Sequence, residues 1–295
     1  MIINDNINVK DDRLINGLVP TISIMSQIEY STDKDVVIDF SNTRFISPVF
    51  ALSMLVYVSN NDRNIRFANM NDYMKAIHLD NVIKPDEGRR SEFVAIMERY
   101  SQKTYIPVIS FPAQKNNDDK EDILSVVENL IIRQLSIQSN VASGVKYLIS
   151  ETIDNITEHS ESDRGFICAQ AYQKKGYLDL CIADRGVTLL GSYTKLDDNE
   201  IASDLEAIKA ANRGISSKNL PDAENRGYGI YTSKKMLIDG LGGQYMMMSG
   251  STGYMKSRKI DEFFTLPRGL RWSGTIIALR IPYQAPLFNY INYIE

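Results

Sequence analysis

The chain has 295 residues, of which 43% are hydrophobic and 24% are charged, and its net charge is −4. This size and composition are typical of a globular protein with two domains and a substantial core. The negative net charge argues against a protein that coats nucleic acid, because phosphate neutralisation requires a clustered cationic surface.

Targeting signals are not evident in the sequence. The N-terminal stretch MIINDNINVKDDRL lacks the apolar segment of a signal peptide. The longest apolar run, residues 48–58, is too short to span a bilayer. Cys168 and Cys181 lie in apolar stretches without a CxxC pattern, which is typical of buried thiols in a reducing compartment. We therefore expect a cytoplasmic location and no membrane partner.

The first third of the chain alternates short apolar strands with helices, as expected for a small α/β layer. Its predicted elements are strands at 36–41, 44–47 and 65–69 and an apolar helix at 49–60. The polar segment 83–92 contains Gly and Pro and predicts a linker. We therefore expect two domains, residues 1–95 and 96–295.

The rest of the chain predicts two long helices and a set of mostly antiparallel strands. In chain order these are strand 105–112, helix 120–138, a helix ending with the stretch 149–160, strands 165–173 and 177–184, helix 229–241, and strands near 243–249 and 272–282. This pattern is typical of an α+β sandwich with helices on one face of a mixed, mostly antiparallel sheet.

The stretch ISETIDNITEHS, residues 149–160, predicts a helix with two different faces. At about 100° per residue, Glu151 and Asn155 share one face, while Ile149, Ile153 and Ile156 lie roughly opposite. One interpretation is an amphipathic helix with a solvated polar face. The other is a Glu and an Asn that share one bound metal–phosphate group.

Two glycine-containing motifs follow predicted secondary structure. Asp184 and Gly186 end a strand, where Asp-x-Gly is also an ordinary turn. Gly227 and Gly229 precede a helix, whose free N–H groups and dipole favour an anion. The P-loop, the complete dinucleotide-binding motif and the protein-kinase motifs are all missing from the sequence.

Taken in order, these motifs and the SGT at 273–275 resemble the GHKL ATP-binding fold, which includes DNA gyrase B, Hsp90, MutL, sensor histidine kinases and anti-sigma-factor serine kinases. The resemblance covers roughly residues 101–285, and SETIDNITEHS is most similar to the anti-sigma-factor kinase motif. It implies Mg²⁺-dependent ATP binding with hydrolysis or phosphotransfer, by an ATPase or a protein serine kinase.

The resemblance also implies a role for each motif residue. Asn155 would ligate Mg²⁺ through its side-chain oxygen, and Glu151 would be the general base for attack on the γ-phosphate. Asp184 would accept a hydrogen bond from the adenine amino group, and Gly186 would let the strand end pass close to the base. Thr275 would support the adenine site from the neighbouring strand.

Phosphate contacts are implied for the loop and helix that follow. Gly227 and Gly229 would present backbone N–H groups to the phosphates, with Arg226 as a nearby cation. Residues 187–226 would be a mobile lid over the nucleotide, with a helix within residues 198–212, and Lys218 could reach the γ-phosphate from it. The sequence departs from the family's Asp-x-Gly-x-Gly pattern at Thr188, and we interpret His159 as a structural residue at the helix end.

The N-terminal stretch VVIDFSNTRFISPVFALSML resembles STAS domains, the anti-sigma-factor-antagonist fold. Asp39, Phe40 and Ser41 match the family's strand end, but residues 47–50 replace its phosphorylatable Asp-Ser-Ser-Gly. We therefore expect residues 1–95 to be a regulatory docking or dimerising domain and not a phosphoacceptor, with one edge of helix 49–58 exposed to a partner.

Two alternative functions remain open at this point. The protein could be a non-catalytic module in which ATP switches a protein-interaction surface. It could also be a histidine kinase, for which His78 is the candidate phosphoacceptor outside the ATP-binding region. A regulatory protein is the expected partner, and a homodimer is left open.

Overall fold

Two β-sheets of different type form the architecture, a three-stranded sheet and a seven-stranded sheet. The computed structural model describes residues 1–5, 7–8, 13–85, 89–113, 118–135, 139–196, 200–215, 228–285 and 287–293, without the side chains of 118–119, 134–135, 139, 156–159 and 228. None of the helices in these ranges combines the length and apolar character needed to cross a bilayer.

The N-terminal sheet is parallel, with strand order β1–β2–β3. Its elements are β1 (Ile2–Ile3), α1 (Val19–Tyr30), β2 (Asp35–Asp39), α2 (Pro48–Ser59), β3 (Asn64–Ala68) and α3 (Asp72–Ala76). The predicted strands near 36–41 and 65–69 are confirmed as β2 and β3, and the apolar helix is confirmed as α2. The α/β layer is therefore present.

The predicted strand at 44–47 is wrong, because this segment is the approach to α2. Ser47 is the N-cap of α2, and its Oγ accepts a hydrogen bond from the backbone N–H of Phe50 at 3.2 Å. Pro48 occupies the first turn, where a missing N–H has no cost. Helix-start chemistry thus outweighs the strand propensity of Phe45 and Ile46.

The larger sheet contains seven strands in the order β4-β5-β6-β10-β7-β8-β9, and every adjacent pair is antiparallel. After α4 (Arg90–Glu98), its elements are β4 (Tyr105–Pro112), α5 (Asp118–Leu135), α6 (Ser139–His159), β5 (Arg164–Tyr172), β6 (Tyr177–Asp184), α7 (Leu189–Tyr193), α8 (Asp204–Asn212), α9 (Tyr228–Lys235), β7 (Gln244–Gly250), β8 (Thr252–Lys256), β9 (Asp261–Thr265) and β10 (Trp272–Pro282). The predicted α+β class is confirmed at this level.

Strand alternation divides the side chains of the larger sheet between two cores. On β6, Leu180 and Ile182 pack with the helices α5 and α6, while Cys181 and Ala183 face the opposite side. We call the first the helix face and the second the α2 face. The predicted amphipathic pattern of α6 is confirmed, because residues such as Ile149 and Ile153 are fully buried against the helix face.

The expectation of helices on one face holds for the described helices of residues 96–295 that pack on this sheet, whereas α2 of the N-terminal part covers the other face. Leu52 and Val56 of α2 lie in the same core as Phe166 of β5 and Met248 of β7. Phe50 and its neighbours on the opposite side of α2 pack into the core of the three-stranded sheet. Helix α2 is therefore enclosed between the two sheets.

This enclosure overturns the expectation of an exposed helix edge. Every residue of α2 from Pro48 to Val56 is buried, so no such edge is available to a partner there. Ser53 is fully buried and forms a hydrogen bond with Thr21 at 2.7 Å. Residues 1–95 and the larger sheet are joined through a shared core.

Part of the predicted linker is fixed in place. The backbone N–H of Ile83 donates to the carbonyl of Val108 at 3.1 Å, and Ser110 donates to the carbonyl of Ile83 at 2.9 Å. These bonds attach the segment to β4 as a short parallel bridge. Residues 86–88 of the same segment lie outside the described part of the chain.

Candidate functional site

A buried carboxylate lies at the end of β6. Asp184 is 1% exposed, its Oδ1 accepts the backbone N–H of Gly186 at 2.8 Å, and its Oδ2 accepts that of Thr275 at 3.0 Å. Burial raises the pKa of Asp184 to about 7, although these two hydrogen bonds favour the ionised form. The group is thus held in one orientation and titrates near neutral pH.

The raised pKa of Asp184 predicts a pH dependence of stability. The Asp184 carboxyl releases its proton near pH 4 in the unfolded chain but only near pH 7 in the folded chain. Protonated Asp184 therefore contributes its full stabilisation of the fold below about pH 4, and this contribution is lost as the pH rises through about 7. We expect Asp184→Asn to remove a slope of about 1.4 kcal/mol per pH unit in the free energy of unfolding over this interval.

Urea denaturation at a series of pH values measures this slope. The matched control is Asp62→Asn, which removes an exposed carboxylate from the turn after α2 and should retain the slope of the wild type. Equal slopes in Asp184→Asn and the wild type would show that Asp184 does not titrate as described.

Two glycines allow the strand ends to meet around Asp184. A Cβ at Gly186 would overlap the backbone carbonyl of Ser160, which accepts the N–H of Val187 at 2.6 Å. Gly274 has a φ of +73°, and a Cβ there would lie 2.5 Å from the Asp184 carbonyl oxygen. Gly186 is therefore needed because its backbone lies directly against Ser160 at the end of α6. The sequence pattern did not indicate this contact.

Ser249 on β7 joins this strand end to the segment that follows β6. Its Oγ accepts the backbone N–H of Leu189 at 2.9 Å, donates to the carbonyl of Gly274 at 2.8 Å and lies 3.4 Å from the Thr275 hydroxyl. Sequence reasoning missed Ser249. The period-two alternation with Tyr245 and Met247, both in the helix-face core, would have placed it on this face.

Glu151, Asn155 and Gly229 meet where α6 packs against α9. The amide Nδ2 of Asn155 donates to the carbonyl of Glu151 at 2.6 Å, which leaves the side-chain oxygen Oδ1 without a donor among the described residues. A Cβ at Gly229 would overlap the Glu151 carboxylate and lie 3.5 Å from the Asn155 amide nitrogen. The structure thus brings three of the predicted site residues into direct proximity.

The Glu151 carboxylate also acts on its surroundings electrostatically. Tyr147 lies one turn earlier on α6, and its pKa is raised to about 12, first by burial and then by the charge of Glu151. Deprotonation of Tyr147 would place a second negative charge near the Glu151 carboxylate, which is itself partly removed from water, so the neutral phenol is favoured.

The two groups of residues occupy the same face of the sheet. Asp184 and Thr275 follow the alternation of Ile182 and Ile277, which pack in the helix-face core. Ser160, which touches Gly186, directly follows α6. At about 1.5 Å of rise per residue, Asn155 lies about 7–8 Å along the helix axis from that contact.

Part of the predicted lid is folded onto the sheet. Ala207 and Ile208 of α8 are fully buried, and the buried Asp204 accepts the hydroxyl of Ser251 at 2.7 Å and pairs with Arg271 at 3.0 Å. The helix expected within residues 198–212 is confirmed as α8, which is packed against the sheet. Asp204, at the start of α8, accepts the backbone N–H of Ser251 in the turn after β7. Leu189, at the start of α7, donates its backbone N–H to Ser249 of β7.

The remaining predicted phosphate contacts cannot be compared with the structure. Lys218, Arg226 and Gly227 lie outside the described residues, and so does the side chain of His159. Their implied roles stay predictions.

Lys234 connects the end of α8 to α9, a role that no sequence motif indicated. Its ammonium group donates to the backbone carbonyl of Asn212 at 2.8 Å and to the Asn212 side-chain oxygen at 3.1 Å, and it lies 5.3 Å from the centre of the Tyr254 ring. Burial lowers the pKa of Lys234 to about 8. This contact fixes the base of the predicted lid relative to the helix that begins with Gly229.

The residues present are compatible with a magnesium–nucleotide complex. Within the described ranges, no three His, Cys, Asp or Glu side chains are grouped to hold a metal ion. Mg²⁺ in nucleotide sites usually needs only one or two protein oxygens, since water and phosphate supply the others. The Oδ1 of Asn155 is a hard oxygen donor of this kind.

His78 does not have the position that a histidine kinase requires. It follows α3 in a turn with a φ of 59°, its Nδ1 is bonded to the carbonyl of Asn81 at 2.9 Å, and its Nε2 is bonded to the Tyr100 hydroxyl at 2.8 Å. Both ring nitrogens are thus engaged in local contacts, and the residue is not on a helix.

The chain matches no protein-family model, and no curated protein sequence matches it.

Proposed function

We propose that residues 101–285 bind Mg·ATP on the helix face of the seven-stranded sheet and promote attack on its γ-phosphate. The observation that carries this proposal is the meeting of Glu151, Asn155 and Gly229 on the same face as the buried Asp184. A solvated amphipathic helix would not require a glycine of another helix to accommodate its glutamate.

Asp184 is the proposed adenine-binding residue. Each of its carboxylate oxygens already accepts one backbone N–H and retains a second lone pair for the adenine amino group. The backbone N–H of Thr275 and the network around Ser249 hold the carboxylate in place. Because only the ionised form accepts from a donor at both oxygens, nucleotide affinity should fall as the pH drops below about 7.

Asn155 and α9 are the proposed binding groups for the metal and the phosphates. The Asn155 Oδ1 would coordinate Mg²⁺, and the bound ion would neutralise part of the phosphate charge. Helix α9 begins at Tyr228, and the backbone N–H groups of its first turn would bind the phosphates next to Gly229, whose missing Cβ leaves room for the Glu151 carboxylate.

Glu151 is the proposed general base. Its carboxylate is half-buried beside Gly229, next to the asparagine that would hold the metal. In this position it would orient or deprotonate the group that attacks the γ-phosphate. With water as that group the protein is an ATPase, and with a hydroxyl of a regulatory protein it is a protein serine kinase.

A non-catalytic ATP-switched module is the second candidate, and the position of α2 favours it. The N-terminal layer covers the α2 face of β5, β6 and β10, and β6 and β10 carry Asp184 and Thr275 on the opposite face. A ligand that shifts these strand ends would act on the packing of residues 1–95 without any chemistry.

Calorimetry with ATP and a non-hydrolysable analogue, with and without Mg²⁺, tests nucleotide binding. We expect binding to need Mg²⁺ and to weaken by about 10- to 100-fold in Asp184→Asn, because a hydrogen bond to a charged acceptor contributes about 1.5–3 kcal/mol. Asp62→Asn is the matched control and should bind as the wild type does. Wild-type affinity in Asp184→Asn would remove Asp184 from the site.

A further inference from the structure

A cavity of about 480 Å³ lies on the α2 face, between the two sheets. Its walls are mostly apolar: Leu55 and Val58 come from α2, Phe67 from β3, Val82 from the segment after α3, and Phe166 from β5. A volume of this size lies within the range of about 300–1,000 Å³ that is typical of small-molecule sites.

The rest of the cavity lining is strongly cationic. Arg66, Lys84, Arg164 and Arg185 contribute four positive charges, against one negative charge from Asp80. The whole chain, in contrast, is acidic, with a net charge of −4. Cations on four separate segments therefore converge on one apolar space.

Two of the four cations are fixed by neighbouring groups, and two are not. Arg164 donates to the carbonyl of Ser110 at 3.2 Å, and Arg185 forms an ion pair with Asp163 at 3.2 Å. Within the part of the chain that the structure describes, Arg66 and Lys84 have no acidic partner, and both are exposed. The positive charge at the mouth is thus largely uncompensated.

Strand alternation separates this cavity from the proposed nucleotide site. Asp184 follows the helix-face residues of β6, whereas the next residue, Arg185, follows Cys181 and Ala183 on the α2 face. The cavity and the proposed nucleotide site therefore lie on opposite faces of the sheet.

We propose that this cavity binds a small amphiphilic anion, an organic molecule with an apolar body and a single carboxylate, sulfonate or phosphate group. The apolar walls around Phe67 and Phe166 take the body, and Arg66 and Lys84 at the mouth contact the charged group. Asp80 in the lining disfavours a polyanion, and a neutral lipid would gain nothing from the charges of Arg66 and Lys84.

The test uses anilinonaphthalene sulfonate as the anionic probe, with phenylnaphthylamine as its neutral counterpart that lacks the sulfonate. Fluorescence titration of the full chain should give one sulfonate probe per protein. Arg66→Gln/Lys84→Gln should weaken this binding by about tenfold, the combined effect of two partly screened charges. Binding of the neutral probe should be weaker in the wild type and unchanged in the variant.

A matched control removes two positive charges elsewhere. Lys103→Gln/Lys174→Gln changes exposed lysines that do not line the cavity and should leave the affinity for the sulfonate probe unchanged. The proposal is overturned if the wild type does not bind the sulfonate probe or if the two double variants bind it equally well. It is also overturned if the neutral probe binds the wild type as tightly as the anion does.

Discussion

Replacing Glu151 with glutamine is expected to lower the rate of ATP turnover by about 10²–10⁴-fold, the usual contribution of a positioned base. Glutamine has nearly the same shape as glutamate, so it fits against Gly229 without disturbing the contact between α6 and α9. Nucleotide affinity should change little, because Asn155 and Asp184 remain in place. Phosphate release under single-turnover conditions, together with calorimetry, separates the two effects.

Glu121→Gln is the matched control, since Glu121 is an exposed glutamate on α5. It should turn over ATP at the wild-type rate. If Glu151→Gln also retains the wild-type rate, Glu151 is not the base. If the wild type binds ATP but shows neither hydrolysis nor transfer to a supplied regulatory protein, the ATP-switched module becomes the better function.

Regular apolar patterns made several long strands of the larger sheet predictable from the sequence. The residues of β4, β6 and β10 were predicted as the structure has them, because long apolar runs are bounded there by turn residues. The hairpin of β8 and β9 was missed. Asp261 and Glu262 place charge on this edge strand, and Gly253 interrupts the apolar pattern of β8.

Contacts between segments that are distant in the sequence could not be predicted from local sequence patterns. The apolar character of α2 is visible in the sequence, but its enclosure between two sheets depends on the tertiary arrangement of β5, β6 and β10. The same limit applies to the site. The Glu151–Asn155 spacing predicted a shared helix face, whereas the contact of Gly186 with Ser160 depends on where α6 ends.

Removing residues 1–89 is expected to make the remaining chain aggregate or lose its cooperative unfolding transition. The fragment 90–295 keeps α4 and the whole seven-stranded sheet but loses α1 and α2. Its α2 face would then expose a continuous apolar surface that includes Phe166, Met246 and Ile276. Exposed patches beyond a few hundred Å² are rare on soluble monomers and promote association. Size-exclusion chromatography with light scattering and thermal unfolding measure this result.

A point variant tests the same packing within the intact chain. Leu52 of α2 is fully buried against the larger sheet, so Leu52→Ala should lower the free energy of unfolding by about 2–5 kcal/mol. The matched control is Leu287→Ala, because Leu287 is 99% exposed and the same substitution should cost less than about 0.5 kcal/mol there. Because α2 belongs to both cores, we expect Leu52→Ala to unfold in a single transition at a lower urea concentration than the wild type. Near-UV and far-UV circular dichroism should give the same midpoint.

Two results would contradict this shared packing: a fragment 90–295 that is monomeric and folds cooperatively, or a Leu52→Ala variant as stable as Leu287→Ala. Either result would mean that the two sheets are independent units.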